Sequence, residues 1–390
     1  MGLILEISYN KFPNGDAGAV RSYVLAKLFS SIGFDTFFAD MGFSNYLDIR
    51  EYNGFKYTSL RINQEGNNLL GKIRNYFGYQ FRLRKFINSF IRKNKPEYIL
   101  VTTIPLFSLI YIKRIAKKNN IRLLHDSVEW YSRSQFVLRS LSPVYIEKNI
   151  INRFVINKNF NVISISRYLE NYFKEKHINT VRIPAILDIE VVKCVKSRGK
   201  KLTIIYAGSP KNKDLLHEVF KGMSLLSDSE LEKVEIRLIG INTDECKKVI
   251  VKAGLNAKLL FKSFKILGTV NRDEVFNNYM EADFSILARP NNERYAKAGF
   301  PTKVVESLAT GTPVILNLTS DLHKYLSNMK DAVIMEEGNG SCIAEAIRKT
   351  LLLTTQQKDE MSKNARICAE NFFDYRQYAD LMKGFLENKK

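Results

Sequence analysis

Short apolar runs alternate along the whole chain with segments in which apolar residues recur every three or four positions. This alternation is typical of parallel sheets whose strands are joined by crossover helices. The second half of the chain restarts the rhythm of the first. The predicted strands span residues 3–9, 35–39, 98–104, 122–126, 161–165 and 180–184, and then 202–208, 234–240, 284–288, 313–317 and 332–335.

A polar, basic segment at residues 193–201 separates the two series of strands, and we place a domain junction there. The predicted fold class is α/β, with doubly wound, Rossmann-like domains over residues 1–190 and 191–373 and a final helix within 374–390. The length of 390 residues and the hydrophobic content of 45% allow each domain its own core. Ligands of such domains bind at the carboxyl ends of the strands.

The net charge of +20 indicates a partner that carries negative charge: nucleic acid, an anionic membrane or a phosphorylated substrate. From Lys72 to Lys95 the chain has no acid, and apolar residues recur at helical spacing. This basic amphipathic helix either packs one face on a sheet or docks on anionic lipid headgroups. We expect no nucleic-acid partner, because no nucleic-acid-binding motif accompanies the charge.

The chain has no apolar run of membrane-spanning length, and its first residues lack the pattern of a signal peptide. Its four cysteines are scattered without a metal-binding or disulfide spacing. We therefore expect a cytoplasmic protein, with peripheral attachment to the inner face of the cell membrane as a further hypothesis.

Residues 298–315 combine a loop, a helix, a turn and a buried strand with a single acid, Glu306. We expect Thr302 to cap the helix and Gly311 to end it in the left-handed conformation. The free amides at the helix start suit a diphosphate, and a carboxylate one turn further can accept hydrogen bonds from a ribose diol. The alternative is an ordinary packing helix with a solvated glutamate.

The same segment resembles the donor-site signature of the retaining GT-B glycosyltransferases of family 4, in which the glutamate at the position of Glu306 holds the nucleotide ribose. The usual signature has a second acid eight positions earlier, where this chain has Ala298. The resemblance implies two Rossmann-like domains facing a cleft and a final helix that crosses back to the first domain. It also implies that the loop contacts the donor through Gly299, Phe300, Pro301 and Thr302.

The resemblance further implies cations that neutralise the donor diphosphate. Family members usually carry an arginine directly after the glycine at the position of Gly208 and a lysine several residues later. Here Ser209 takes the arginine position, Lys213 best matches the lysine, and Lys211 is a substitute for the missing charge. Lys303, beside the predicted helix start, is a weaker candidate. The alternative for each loop lysine is that its side chain is only solvated and binds no ligand.

The loop between the first strand and the first helix contains Gly15 and Gly18, followed by Arg21. Family 4 members often have paired glycines at this point, where the backbone can approach a ligand. The inserted Asp16 and Ala17 weaken the match. Arg21 either faces the diphosphate or pairs on the helix surface.

His125 lies at the end of the predicted strand at residues 122–126, and Asp126, Glu129 and the only tryptophan, Trp130, come after it. A histidine at a strand end is often structural. The resemblance implies instead a catalytic His125 that contacts the donor sugar or the acceptor, with Asp126 or Glu129 orienting the acceptor hydroxyl.

The resemblance as a whole implies a retaining, metal-independent glycosyltransferase of bacterial surface polysaccharide or capsule synthesis. It would transfer a sugar from a nucleotide-diphosphate sugar to a glycan or polyprenyl-diphosphate-linked acceptor. No cofactor or metal is expected, because the chain lacks an Asp-x-Asp motif and its lysines can offset the diphosphate charge. A nucleotide-sugar epimerase of the same fold and a non-catalytic sugar-nucleotide-binding or membrane-binding subunit remain as alternatives.

Overall fold

The chain divides into two structural units, each built around its own sheet. The computed structural model describes residues 2–13, 15–41, 47–60, 69–209, 213–256 and 262–387. Unit 1 comprises Met1–Ile186 and Tyr375–Lys390, and unit 2 comprises Leu187–Asp374. The sequence-based division after residue 190 lies close to this boundary.

The sheet of unit 1 is parallel apart from one edge hairpin. Its strands are β1 Gly2–Ser8, β2 Phe34–Asp40, β3 Arg50–Tyr52, β4 Phe55–Ser59, β5 Tyr98–Thr102, β6 Arg122–Ser127, β7 Phe160–Ser164 and β8 Thr180–Arg182. The spatial order is β3-β4-β2-β1-β5-β6-β7-β8. Among these described strands, only β3 runs antiparallel to its neighbour. The order reverses at β1, where the chain next crosses to β2 on one side and later returns to β5 on the other.

The sheet of unit 2 is parallel throughout its described strands. These are β9 Leu202–Ala207, β10 Val234–Ile239, β11 Phe264–Gly268, β12 Phe284–Leu287, β13 Val314–Asn317 and β14 Ala332–Met335. Their order is β11-β10-β9-β12-β13-β14. The order therefore reverses between β9 and β12, and in open α/β sheets ligands bind beyond the carboxyl ends of the strands at such a point. The predicted fold class is confirmed.

Helices connect most of the strands. Their bounds are α1 Ala17–Ser31, α2 Leu69–Asn94, α3 Leu106–Lys118, α4 Pro143–Ile150, α5 Arg167–Glu175, α6 Leu216–Ser224, α7 Asp228–Leu231, α8 Thr243–Lys252, α9 Arg272–Glu281, α10 Arg294–Ala298, α11 Thr302–Ala309, α12 Gly340–Leu351, α13 Thr355–Phe373 and α14 Ala379–Glu387. The last of these packs in unit 1, where Met382 lies in the same apolar core as Ile4 and Leu100.

The apolar stripe of α2 faces the interior. Phe86 and Phe90 are buried, and their rings lie 6.2 and 4.7 Å from the ring of Phe37 on β2. The basic residues Arg84 and Lys85 are exposed on the opposite side. Most of the apolar residues in the described part of this helix are therefore buried in the core. This is what we expect of a helix that packs one face on a sheet.

Sequence reasoning missed β3, β4 and β11. The hairpin between β3 and β4 turns at Asn53 and Gly54, both with positive φ, +47° and +85°. An Asn-Gly pair is a strong hairpin signal, so this element was detectable. Strand β11 is an edge strand whose residues are mostly half-buried, which explains its weak apolar pattern.

Candidate active site

Two glycine turns bring the ends of β9 and β10 together. Gly208 has a φ of +135°, and a Cβ atom there would lie 2.3 Å from Cε of Lys303. Gly240 has a φ of +83°, and its Cβ would lie 2.6 Å from the carbonyl carbon of Gly208. Any side chain at Gly208 would displace Lys303, so this glycine is required for Lys303 to lie over the turn.

Lys303 belongs to a buried cluster centred on Asp214. The Asp214 carboxylate accepts hydrogen bonds from Lys303 Nζ, from Arg289 Nε at 2.9 Å and from the Tyr206 hydroxyl at 2.9 Å. Burial opposes ionisation of Asp214, but Lys303 and Arg289 hold its pKa below the ordinary value. Burial lowers the pKa of Lys303, and Asp214 opposes that shift. Two cations thus share one anion at the point where the strand order reverses.

Asp214 and Arg289 received no role from sequence reasoning. Arg289 comes shortly after β12, and its main chain is tied to Asn317 in both directions, by N–H···Oδ1 at 3.0 Å and O···H–Nδ2 at 2.7 Å. The sequence could have indicated a role for them only through their position. Both residues lie in loops that follow β9 and β12, the two strands between which the strand order reverses.

The helix in the signature segment begins one residue earlier than the predicted cap implied. Pro301 occupies the N-cap position without a side-chain cap, and Thr302 is the first helical residue. The prediction of Thr302 as N-cap was therefore wrong, because the turn closes through the main chain, with Val304 N–H donating to Pro301 O at 3.1 Å. Gly311 ends the segment with a φ of +68°, as predicted, and β13 follows.

Glu306 lies one turn beyond Lys303 on α11, and its side chain is 23% exposed. Its nearest ion-pair partner is Arg272 at the start of α9, with Nη2 3.6 Å from Oε1. Burial raises the pKa of Glu306, whereas Arg272 and Lys303 oppose the shift. The carboxylate is thus partly shielded from water and only loosely paired, which leaves it with hydrogen-bonding capacity for a ligand.

The loop before α11 is anchored in the core. Phe300 is buried, and its ring lies 5.9 Å from Tyr325 and 5.8 Å from Phe373. Ala298 is fully buried. A donor could therefore meet Phe300 only through its main chain. Gly299 is extended, with a φ of −85°, so its conformation alone does not require glycine.

The lysines that were predicted to bind the donor diphosphate differ in where the structure places them. Lys211 lies outside the described residues. Lys213 is half-buried, and its carbonyl accepts a hydrogen bond from the Tyr295 hydroxyl at 3.1 Å. Ser209 is exposed directly after Gly208. Lys303, the weakest candidate from sequence, is the one that the described structure places against Gly208.

The glycines of the first loop are explained by close packing. A Cβ at Gly15 would lie 2.4 Å from Cβ of Lys11, and one at Gly18 would lie 2.3 Å from Oδ1 of Asn10. Asp16 caps α1 by accepting from Ala19 N–H at 2.8 Å. Close packing accounts for both glycines without a ligand.

Arg21 is buried, so neither of its predicted placements, facing a diphosphate or pairing on the helix surface, matches the structure. Its Nε and Nη2 atoms donate to Asp126 at 2.8 Å, and its guanidinium also donates to the carbonyls of Pro184 and Ile183 at 2.7 and 3.1 Å. A buried guanidinium requires such fixed partners. Asp126 is correspondingly engaged and is not free to orient an acceptor.

His125 lies within β6, as the predicted strand at residues 122–126 implies, and is paired in register with Val101 and Val162. The ring is buried and lies 6.4 Å from Phe173. Burial, together with the positive charge of Lys148, lowers its pKa to about 3. The Val101 backbone opposes the shift but lacks the geometry of a good hydrogen bond. The imidazole is therefore neutral near pH 7.

Residues after β6 form a polar group beside His125. Glu129 accepts a hydrogen bond from the Tyr131 hydroxyl, and Trp130 Nε1 donates to Asn149 Oδ1 at 3.1 Å. Burial lowers the pKa of Lys148, and Glu129 and Asp126 oppose this shift.

A cavity of about 470 Å³ lies in unit 2 beside the Asp214 cluster and borders Arg289. It does not include Lys303 or Glu306. Its other lining residues are Leu215, His217, Glu218, Pro290, Asn291, Asn292, Glu337, Gly338 and Asn339.

Among the residues that the structure describes, no three His, Cys, Asp or Glu side chains are grouped closely enough to hold a metal ion. None of the helices in these parts of the chain combines the length and apolar character required to cross a bilayer.

Part of the chain matches a known family model, and the whole chain resembles solved structures in fold. Residues 190–367 match the family model described as glycosyl transferases group 1. A sequence search among curated proteins found no significant match.

Solved structures resemble the whole chain. Sucrose-phosphate synthase from Thermosynechococcus elongatus has a TM-score of 0.77 at 14% identity, covering 99% of this chain and 98% of that chain. Anabaena Alr3699/HepE in complex with UDP has a TM-score of 0.65 at 15% identity, covering 99% of both chains. WaaG, a glycosyltransferase involved in lipopolysaccharide biosynthesis, has a TM-score of 0.66 at 12% identity, covering 98% of this chain and 100% of that chain. The chain therefore has the fold of the GT-B glycosyltransferases, and its second unit carries the region that matches glycosyl transferases group 1.

Proposed function

We propose that the protein is a glycosyltransferase that moves a sugar from a nucleotide-diphosphate sugar to a glycan or lipid-linked glycan acceptor. The observation that carries the proposal is the position of Lys303 against Gly208, with Glu306 one turn further on the same helix. A cation beside a glycine turn suits a diphosphate, and the carboxylate suits a ribose diol. The similar Anabaena structures contain UDP, UDP with glucose, and UDP-glucose.

The cluster supplies positive charge where a leaving nucleotide would gain negative charge. Lys303 and Arg289 together outweigh Asp214 by one charge, and burial strengthens their field. The uncapped amides at the start of α11 add to it. Such preorganised groups stabilise developing charge in the transition state. Arg289 supplies a fixed cation in a chain that has Ser209 at the usual arginine position, and Lys213 and Lys211 remain predicted further cations.

The sugar would be held chiefly by main-chain groups. Ala298 is buried and has no polar side chain, so the acid of the usual signature has no counterpart at this position. The backbone from Gly299 to Thr302 takes over the contacts near the sugar.

Transfer proceeds with retention and without a metal ion in this proposal. Asp214 accepts hydrogen bonds from three donors, so it is poorly suited to act as a nucleophile. The departing phosphate oxygen would instead accept the proton of the acceptor hydroxyl as the new glycosidic bond forms on the same face. Lys303 and Arg289 provide the electrostatic role that a metal ion has in other transferases. His125, held neutral, orients a hydroxyl by hydrogen bonding.

The proposed context is synthesis of a surface polysaccharide such as a capsule, on the cytoplasmic side of a bacterial membrane, with a polyprenyl-diphosphate-linked glycan as the acceptor. The basic stretch from Lys72 to Lys95 supports an anionic membrane partner.

Incubation of the purified protein with a panel of nucleotide sugars tests the proposal. Nucleotide release that accelerates when a lipid-linked glycan is added is the expected result. Conversion of the donor sugar without acceptor would identify an epimerase instead. Binding without turnover of any donor and acceptor pair would identify a non-catalytic subunit, and no binding of any nucleotide sugar would overturn the donor site.

A further inference from the structure

Unit 1 exposes seven large apolar side chains on α3, on α4 and on the segments next to α4. Their exposed fractions range from 42% for Ile146 to 100% for Val137. Single exposed apolar residues are common, but seven of them on adjoining elements indicate an interaction surface. We call this group the apolar patch. It consists of Phe107, Val137, Leu138, Leu141, Val144, Ile146 and Phe154.

The elements that carry the apolar patch adjoin one another. A 3₁₀ turn at Arg139–Leu141 leads into α4, which continues into a π-helical turn at Ile151–Val155. Neither the 3₁₀ turn nor α4 buries a side chain fully. Glu147 on α4 accepts a hydrogen bond from Leu106 N–H at 2.8 Å, which fixes the start of α3, and therefore Phe107, beside α4.

The surroundings of the apolar patch are basic. Between Glu97 and Glu170 the chain has only three acids, and none is exposed. Asp126 binds Arg21, Glu129 accepts from Tyr131, and Glu147 accepts from Leu106 N–H. The exposed cations in the same stretch include Arg114, Arg133, Arg139, Arg153 and Lys158.

We propose that the apolar patch inserts into the interfacial layer of an anionic lipid bilayer while the neighbouring arginines contact lipid phosphates. The acyl boundary accepts exposed Leu, Val and Phe side chains, and the negative surface potential attracts the surrounding cations. An acidic protein surface would satisfy the charges but would leave little reason for seven exposed apolar side chains on α4 and the segments next to it. This proposal rests on the membrane part of the proposed function and moves the inserted surface from α2 to α4.

Sedimentation with vesicles made of equal parts phosphatidylcholine and phosphatidylglycerol tests the proposal. The apolar variant combines Leu138→Ser, Leu141→Ser and Phe154→Ser. Its vesicle affinity should fall about tenfold or more, since each inserted side chain contributes to partitioning. The control variant combines Leu225→Ser, Val251→Ser and Leu352→Ser, which are comparably exposed in unit 2, and should bind like the wild type.

A basic variant separates the two forces. Combining Arg133→Gln, Arg139→Gln and Arg153→Gln should weaken binding at low salt and flatten its dependence on salt. In an independent measurement, Leu141→Trp should give an emission band that shifts to the blue with vesicles and is quenched by brominated acyl chains. The native Trp130 is buried and supplies a constant background.

Absence of wild-type binding, or equal binding by the wild type and the apolar variant, would overturn the proposal. So would a wild-type dimer that the apolar variant dissociates, because the occupant would then be a second copy of the chain. UDP affinity, measured for all variants without lipid, should be unchanged. If the donor-site assignment is wrong, the wild type will not bind UDP in this measurement, whatever the result of the vesicle experiment.

Discussion

Arg289 Nε lies 2.9 Å from Oδ1 of Asp214, and this pair holds Asp214 in position to bind Lys303. The three residues come from separate loops and a helix of unit 2. Their pairing decides which lysine of the sequence meets the glycine turn after β9.

Lys303→Met should weaken UDP binding by about ten- to a hundredfold, because a charge-assisted contact to phosphate contributes about 1.5–3 kcal/mol. It should also lower the melting temperature, since buried Asp214 loses one of its two cations. Calorimetric titration with UDP and thermal unfolding measure the two effects.

Lys363→Met is the matched control, because Lys363 is exposed on α13. It should leave both quantities unchanged. Full UDP affinity in a folded Lys303→Met variant would remove this lysine from the diphosphate site.

Glu306→Gln should reduce UDP affinity about tenfold or more, because an amide replaces a carboxylate that accepts from both ribose hydroxyls. Its stability should be preserved, since burial raises the pKa of Glu306 and the neutral amide does not carry that desolvation cost. Comparing titration with UDP and titration with inorganic diphosphate separates a contact to the ribose from a contact to the phosphates. In Glu306→Gln only UDP binding should weaken.

Glu345→Gln on the exposed face of α12 should affect neither titration. Equal losses for UDP and diphosphate in Glu306→Gln would place this residue at the phosphates and not at the ribose.

Glu6 should make unit 1 less stable as the pH rises. Burial raises its pKa from 4.5 to about 8, so the folded protein holds a proton that the unfolded chain has lost. This contribution to the free energy of unfolding is complete below pH 4.5 and is lost as the pH rises through about 8, with a magnitude of a few kcal/mol, at most about 5.

Urea unfolding of the wild type and Glu6→Gln across this range measures the effect, since glutamine keeps an oxygen that can accept from Ser22. In Glu6→Gln the free energy of unfolding should fall much less as the pH rises through this range. Glu175 is exposed on α5, and Glu175→Gln should show the same fall in the free energy of unfolding as the wild type. Parallel profiles for wild type and Glu6→Gln would contradict the assignment.

His125 should remain neutral throughout the working range, because its pKa lies near 3. The profile of kcat/KM should therefore show no inflection from this ring between about pH 5 and 8. His125→Gln, which keeps a neutral hydrogen-bonding group, should retain the wild-type profile. His125→Leu should lower kcat/KM by about a hundredfold.

Circular dichroism at pH 7.5 establishes that both His125 variants are folded. An inflection near pH 6.5 in the wild type that disappears in His125→Gln would show that the ring titrates during turnover, contrary to its buried environment.

The sequence predicted most of the strands because buried parallel strands need apolar runs bounded by turns, as in β1 and β9. It also predicted the helix and left-handed turn around Glu306, since Pro301 and Gly311 act through local backbone geometry. The Asn53–Gly54 hairpin carried an equally local signal and was overlooked.

The placement of charged side chains required the tertiary structure. Arg21 lies 105 residues from Asp126, and Lys303 lies 89 residues from Asp214, so no local pattern could join them. Likewise, the periodicity of α2 revealed an apolar stripe but not that the core buries most of its described part, whereas Val144 and Ile146 on α4 are exposed.

The sequence by itself determined the two parallel-sheet units and the helix that carries Glu306, because backbone propensity and apolar periodicity act over a few residues. The tertiary structure decided which cations meet the glycine turn and which apolar surface is open to solvent. Those choices depend on burial and long-range pairing, whose energies exist only once distant segments are packed together.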